Sequence, residues 1–331
     1  MKAPNPHPKL EALSLAWPTD WTSLFGEERR LILEIGFGYG QMFEYLHQTR
    51  TDANIIGIEI SSMCLTRAET AIPRKGLHRA RVIRARAETA LNHLFMPGSV
   101  SEIHVNFPDP WFKERHAGRR LMQRDTLDAI VSRLTPGGKF YLATDISAYA
   151  EMSAELLVQT PGLTNQFDTA WVTSFEDRVT TKYEGKALKA GRTCHYFYHH
   201  RNHLPAPDVP VIEEIPMSHL VIKTPVSLNT MVEAAQPQNY DDDEHHVEFK
   251  NRYLGENNAL FEAHIHEPTI DQRVALTVVQ KAGTADEYTI KASAIGSPRS
   301  TNGVHKAIAL LGDAILALSP DAKILSDTLR R

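Results

Sequence analysis

Apolar residues recur along this chain with two different periods, and the point where one pattern gives way to the other divides it. From Leu31 the run LILEI is apolar but for one acid, and NIIGIEI (Asn54 to Ile60), RARVIRA, SEIHVNF and KFYLATD repeat that form at intervals. Runs this short and this apolar suit strands buried on both faces of a sheet. Between them lie amphipathic segments of helical period. These are Gln41 to Gln48, SSMCLTRAETAI with Ser61 or Ser62 as its cap, AETALNHLF, LMQRDTLDAIVSRL stopped by Pro136-Gly137-Gly138, and Ala148 to Leu157. A strand near Thr169 to Thr173 and a last one at HYFYHHR, His195 to Arg201, complete the set. Strands alternating with helices through short loops predict an α/β domain with a doubly wound parallel sheet over residues 28–204, preceded by a proline-rich arm at 1–27.

The pattern changes after LPAPDVP. Three prolines there predict a stiff, extended linker at 205–210. Beyond it VIEEIP, HLVIKTP, HHVEFKNRYL, ALFEAHIHE, RVALTVVQK and EYTIKASAIG are short β-like runs, and VHKAIALLGDAILAL is one helical segment. Residues 211–331 are therefore expected to form a smaller α+β domain, an antiparallel sheet with one helix on a face.

Composition adjusts this picture in three ways. A length of 331 residues allows two cores. The net charge of −4 conceals an asymmetry, because residues 1–205 carry three more basic than acidic side chains and residues 206–331 seven more acidic than basic. Any nucleic-acid surface then belongs to the first part. Cys64 and Cys194 have no near partner, no apolar run reaches the roughly 20 residues of a membrane span, and the start lacks the apolar core of a signal peptide, so a cytoplasmic protein is expected.

Two stretches carry chemistry. In the first, Glu34, Gly36, Gly38 and Gly40 alternate with other residues at the end of the first strand, and Glu59 closes the second. Glycines let backbone approach a cofactor, and an acid at the second strand's tip can accept from ribose hydroxyls. A dinucleotide and S-adenosylmethionine both fit. The G-x-G-x-G spacing and the carboxylate of Glu34, which would oppose a pyrophosphate but suit a cationic amino-acid end and a sulfonium, favour the methyl donor. The second stretch is VNFPDPWFKERHAGRRLMQRD, Val105 to Asp125. Its prolines bias Phe107 and Asp109 toward extended backbone, holding Asp109 just past a strand's carboxyl end, where open α/β sheets bind ligands. Lys113, Arg115, Arg119, Arg120 and Arg124 follow as a local attraction for phosphate. Trp111, Phe112 and Tyr183 are candidates for stacking on a base. The pairs His245-His246 and His264-x-His266 lack a characteristic ligand spacing, and no metal is expected.

LEIGFGYG, GIEIS, NFPDPWFKERHAGRR, PGGKFYLATD and TKYEGKALKAG, in this order over roughly residues 28–201, resemble the bacterial tRNA (guanine-N7-)-methyltransferase family of the TrmB type. The resemblance implies a Rossmann-like class I S-adenosylmethionine-dependent methyltransferase fold and methylation of guanine N7 at position 46 in the tRNA variable loop. It implies a donor site of Glu34, Gly36, Gly38, Glu59, Arg86, Asn106 and Asp109, with Asp109 catalytic. It places Lys113, Asp145, Thr181, Lys182, Tyr183 and Glu184 on the tRNA or its guanine; by their charge, Lys113, Lys182, Arg119 and Arg120 are expected to bind phosphates. Arg86 departs from the Asp or Asn that members often carry there, which leaves a backbone contact or a stacking side chain. The part beyond about residue 206 lies outside the resemblance.

Overall fold

The computed structural model describes residues 7–330 and divides into two compact units, the first running to Glu213 and the second from Glu214. Of the N-terminal arm, residues 1–6 lie outside the described residues.

In the first unit the elements are β1 (Lys9–Glu11), α1 (Trp21–Phe25), β2 (Arg30–Ile35), α2 (Gln41–Thr49), β3 (Ala53–Glu59), α3 (Ser62–Arg74), β4 (Ala80–Arg84) and α4 (Ala87–His93). They continue with β5 (Val100–Asn106), α5 (Arg124–Arg133), β6 (Leu134–Thr144), α6 (Ser147–Val158), β7 (Leu163–Asn165), α7 (Lys182–Lys189) and β8 (His195–Arg201). The sheet order is β1-β4-β3-β2-β5-β6-β8-β7. Pairing is parallel from β1 through β6, and β8 enters antiparallel between β6 and β7. From β2 the chain builds outward through β3 to β4 and then returns to pair β5 on the other side of β2, so the switch point of this doubly wound sheet lies between β2 and β5. That arrangement is the class I S-adenosylmethionine-dependent methyltransferase fold. The apolar runs form its core, with Ile32, Leu33, Ile55, Ile56, Val82 and Ile103 all fully buried. Gly57, opposite Glu34 in register, leaves room for Phe37, since a Cβ there would lie 2.7 Å from that ring.

Several expectations differ in detail. The N-terminal arm is structured where it is described: β1 adds to β4, and Trp21 stacks on Phe95 at 4.9 Å. The strand expected near Thr169 to Thr173 is reduced to one bridge, Val172 to Tyr196. The strand on that edge of β8 is β7, and Asn165, which accepts from Phe167 N–H and donates to Thr169 O, turns the chain away after it. The helix expected from Leu121 starts at Arg124. The proline-rich segment does not span free space either. Val209 and Pro210 carbonyls accept from Arg133, and Ile212 exchanges bonds with Asn92 and His93.

The second unit contains β9 (His219–Lys223), α8 (Leu228–Ala234), β10 (Tyr240–Asp241), β11 (His246–Leu254), β12 (Asn258–Glu267), β13 (Ile270–Gln280), β14 (Glu287–Ala292), α9 (Asn302–Leu316) and β15 (Lys323–Asp327). Its strands form one antiparallel sheet, β10-β11-β12-β13-β14-β9-β15. Alternate residues of β12 and β13, among them Phe261, Ile265, Val274 and Leu276, join Ala307, Leu311 and Ile315 of α9 in one core. VIEEIP forms no strand, whereas α8 and β15 appear from sequence too short or too polar to announce them.

Candidate active site

The site grows from the switch point. Glu34, second from the end of β2, is 1% exposed, because parallel strands are covered on both faces. Its Oε1 accepts from Asn106 Nδ2 of β5 at 3.3 Å, while Oε2 has no partner among the described residues. Burial pushes its carboxyl up to about 8, opposed by the Asn106 hydrogen bond and by the charge of Arg178. A buried acid with an unused acceptor calls for a cationic or N–H-bearing ligand.

The following loop has Gly36, Gly38 and Gly40 at φ of 73°, 51° and 80°. At Gly36 and Gly40 an added Cβ would meet nothing within 4 Å, so the requirement there is conformational and the adjacent space is open. Glu59 stitches this loop to the turn before α3. Its Oε2 accepts from Gly38 N–H at 3.0 Å and its Oε1 from Ile60 and Ser61 N–H at 2.8 and 2.9 Å. A carboxylate offers about four acceptor sites. Glu59 therefore keeps room for a ribose hydroxyl while already shaping the loop. Arg86 is the N-cap residue of α4, and its side chain pairs with Glu88 at 3.4 Å.

Asp109 is exposed just beyond Asn106. The extended backbone expected of Phe107 is not found: its φ is +52°, and that of Trp111 is +41°. Tertiary contacts outweigh the pre-proline preference. Phe107 N–H bonds Ala143 O at 2.8 Å, prolonging the β5–β6 ladder, and its ring lies beneath the Arg178 guanidinium at 5.8 Å. Each left-handed non-glycine residue costs about 1–3 kcal/mol, and such strain collects where a loop must hold a reacting group.

The basic run behaves unevenly. Arg120 turns inward, donating to the Pro110 and Trp111 carbonyls at 3.3 Å each, so it staples the turn that carries Asp109. Arg124 likewise binds Thr160 and Leu156. Lys113, Arg115 and Arg119 are exposed, with the Arg119 guanidinium 5.2 Å from the Trp111 ring centre.

The TKYE segment divides by position. Thr181 caps α7 and Glu184 closes a capping box with it, at 3.2 and 3.1 Å. Glu184 is 4% exposed, and its carboxylate also accepts from Tyr196 OH and from Arg178 Nη2, both at 2.7 Å. Thr181 and Glu184 thus build the helix start, and Glu184 is spent on internal partners. Lys182 and Tyr183 are exposed on the outside. Tyr183 Cε2 lies 3.4 Å from the Cβ position of Gly38, and its phenol is held up by burial and then by Cys64, Tyr39, Asp109 and Glu59. The fold therefore brings the glycine loop, the β3 tip and the Asp109 turn close to Tyr183 of α7. Asp145, at the end of β6, is half-buried and paired with Arg192 at 2.7 Å.

Arg178, Tyr196 and Asp177 are absent from the residues legible in sequence. Asp177 pairs with Arg50 at 2.7 Å and accepts from Tyr45 OH at 3.2 Å, anchoring the segment before α7 to α2. The T-x-x-E spacing announces the cap, but nothing local announces its partners. In the second unit, His264 and His266 both pair with Asp271, at 2.8 and 3.3 Å. Among the described residues no group of three or more His, Cys, Asp or Glu is arranged to hold a metal ion, and no helix is long and apolar enough to cross a membrane.

A family model described as "Putative methyltransferase" matches residues 28–197, just over half of the chain. The tRNA (guanine-N(7)-)-methyltransferase of Cupriavidus metallidurans is 35% identical over 53% of this chain and 67% of its own length. The enzymes of that name from Cutibacterium acnes and Thermus thermophilus are 36% and 37% identical, over 53% and 55% of this chain and 64% and 57% of their own. The chain therefore spans about two thirds of the length of these relatives, or somewhat less.

Proposed function

The chain belongs to the TrmB-type tRNA (guanine-N7-)-methyltransferase family, and from that premise we propose that its first unit methylates guanine N7 in tRNA, at position 46 of the variable loop. S-adenosylmethionine supplies an electrophilic methyl group. The observation that carries the reading is the unpaired, buried oxygen of Glu34 at the switch point, beside Asn106 and the open glycine loop. Those residues fit the donor: Glu34 meets its cationic amino-acid end, and Glu59 accepts from its ribose. Asp109 is the catalytic residue. Guanine N7 carries a lone pair and no proton, so the protein needs no general base there and works by alignment, worth several kcal/mol. As positive charge passes from sulfur to purine, the Asp109 carboxylate stabilises it throughout.

Lys113, Lys182 and Arg119 receive phosphates, Tyr183 offers a stacking face, and Asp145 accepts from the guanine's Watson–Crick edge after exchanging Arg192. Glu184, Thr181 and Arg120 support these groups from behind. A cytoplasmic site of action accords with such a substrate. The test is transfer of labelled methyl to unmodified tRNA followed by borohydride and aniline, which cut at 7-methylguanosine. Cleavage at one variable-loop guanine is expected. Label at another nucleoside, or none, sinks the reading.

A further inference from the structure

Helix α7 carries Lys182, Lys186 and Lys189 at i, i+4 and i+7, all exposed, while Glu184 and Ala187 on its other side are buried. The three lysines share one face. Beside them, in the glycine loop, Tyr39 holds the Lys182 ammonium 3.5 Å and the Arg67 guanidinium of α3 5.1 Å from its ring centre. Tyr39 lies 6.1 Å from Tyr183, over which Lys186 sits at 5.7 Å. Cations and rings are thus in contact from α3 across the glycine loop to α7.

Two features separate this ridge from an ordinary solvated helix face. Such a face usually interleaves acids with bases, but here the only acid of α7 is buried against Arg178, and the neighbouring pair Arg192–Asp145 leaves the lysines out. Among the described residues, Arg67, Lys182, Lys186 and Lys189 form no ion pair. Lys182, moreover, sits over the face of the Tyr39 ring, and its proximity lowers the Tyr39 phenol. Positions at helical spacing, without ion pairs among the described residues and beside the glycine loop, fit a polyanion with regular charge spacing.

We propose that this ridge, Arg67, Tyr39, Lys182, Lys186 and Lys189, is a docking surface for the RNA backbone flanking the target guanine. The proposal rests on the methyltransferase reading and extends the RNA contact from Lys182, which that reading already assigns, to Arg67, Tyr39, Lys186 and Lys189. The ridge sets affinity and register, and the chemistry stays with Asp109.

The experiment uses the full chain. Lys186→Ala/Lys189→Ala and, separately, Arg67→Ala are compared with wild type for donor affinity, for tRNA binding between 50 and 200 mM salt, and for kcat and KM with tRNA. Each lost phosphate contact removes about 0.7–0.9 from the slope of log K against log salt. The double variant should therefore flatten the slope by about 1.5 and raise KM about tenfold or more, with donor affinity and melting temperature unchanged. Lys186→Glu/Lys189→Glu should be worse still. Arg273→Ala/Lys291→Ala, on strands β13 and β14, should flatten the slope less. An unchanged slope and KM in the α7 variants, with active wild type, would overturn the proposal, as would an equal loss in the Arg273/Lys291 control. Wild type that neither binds nor methylates tRNA would instead remove the functional reading, and the ridge with it.

Discussion

Glu34 and Asp109 are two acids with opposite surroundings, one buried and one exposed, and the proposed function gives them different tasks. Asp109 is exposed at a turn held by Arg120, so its replacement should leave the core intact. Asp109→Asn should lower methyl transfer by about 10²–10³-fold, the size of one lost electrostatic contact in a transition state. Near-normal single-turnover rates in a variant of unchanged melting temperature would take Asp109 out of the mechanism. Glu34 makes a pH prediction. Its carboxyl stands near 8 in the folded state against an ordinary value of 4.5. Between those values the folded protein holds a proton that the unfolded chain has released, so stability falls as pH rises from about 4.5 to 8. Glu34→Gln should flatten that part of the curve. On the proposed function, donor binding should bring a cation to the same carboxylate, lower its pKa and release a proton near neutral pH. Calorimetry in buffers of different ionisation enthalpy measures this release, and finding none would mean that Glu34 is already ionised or does not meet the donor's cation.

The helix that presents Lys182 and Tyr183 depends on a buried ion pair. Arg178 and Glu184 are 8% and 5% exposed in their side chains, and the same arginine lies over the Phe107 and Tyr196 rings. Removing one member of such a pair costs about 3–5 kcal/mol because the other charge is left buried, whereas removing both costs less. Arg178→Met and Glu184→Gln should each destabilise the fold and raise KM for tRNA, and the double variant should recover part of the stability. A double-mutant cycle reads the coupling directly, and additive losses would show that the two residues act independently. Exposed Lys182 and Tyr183 were visible in the sequence as a motif. Their dependence on Arg178 was not, because a cap motif specifies only its own backbone partners.

Across the whole chain, the acidic second unit and the proline-rich segment before it bear on where the protein can be divided. Arg133 is fully buried with its pKa pushed down to about 10 by burial, and it donates to Leu91, Val209 and Pro210 carbonyls and to Ser132 Oγ. Cutting after Leu204 removes two of those carbonyls and strands a buried cation. Cutting after Glu213 keeps them. Residues 1–213 should therefore fold, bind donor and methylate tRNA measurably, while residues 1–204 should melt at markedly lower temperature or fail to accumulate as soluble protein. Equal melting of the two lengths would show that water satisfies Arg133 as well as the segment does. A folded 1–213 fragment that binds donor and does not methylate tRNA would assign the second unit an essential RNA contact.

The buried strands, the glycine loop and the acids at strand tips were legible from period, punctuation and motif alone, as was a change of character after residue 204, although the first compact unit runs on to Glu213. Local steric and hydrophobic preferences specify each of these, and local sequence carries them in full. The insertion of β8, the left-handed Phe107, the pairing of β1 with β4, the inward use of Glu184 and Arg120, and the latch on Arg133 were not legible. Each depends on which polar groups, distant along the chain, come to share one buried volume. Periodicity reports that a side chain is buried, but the partner that satisfies it is decided only when the layers pack.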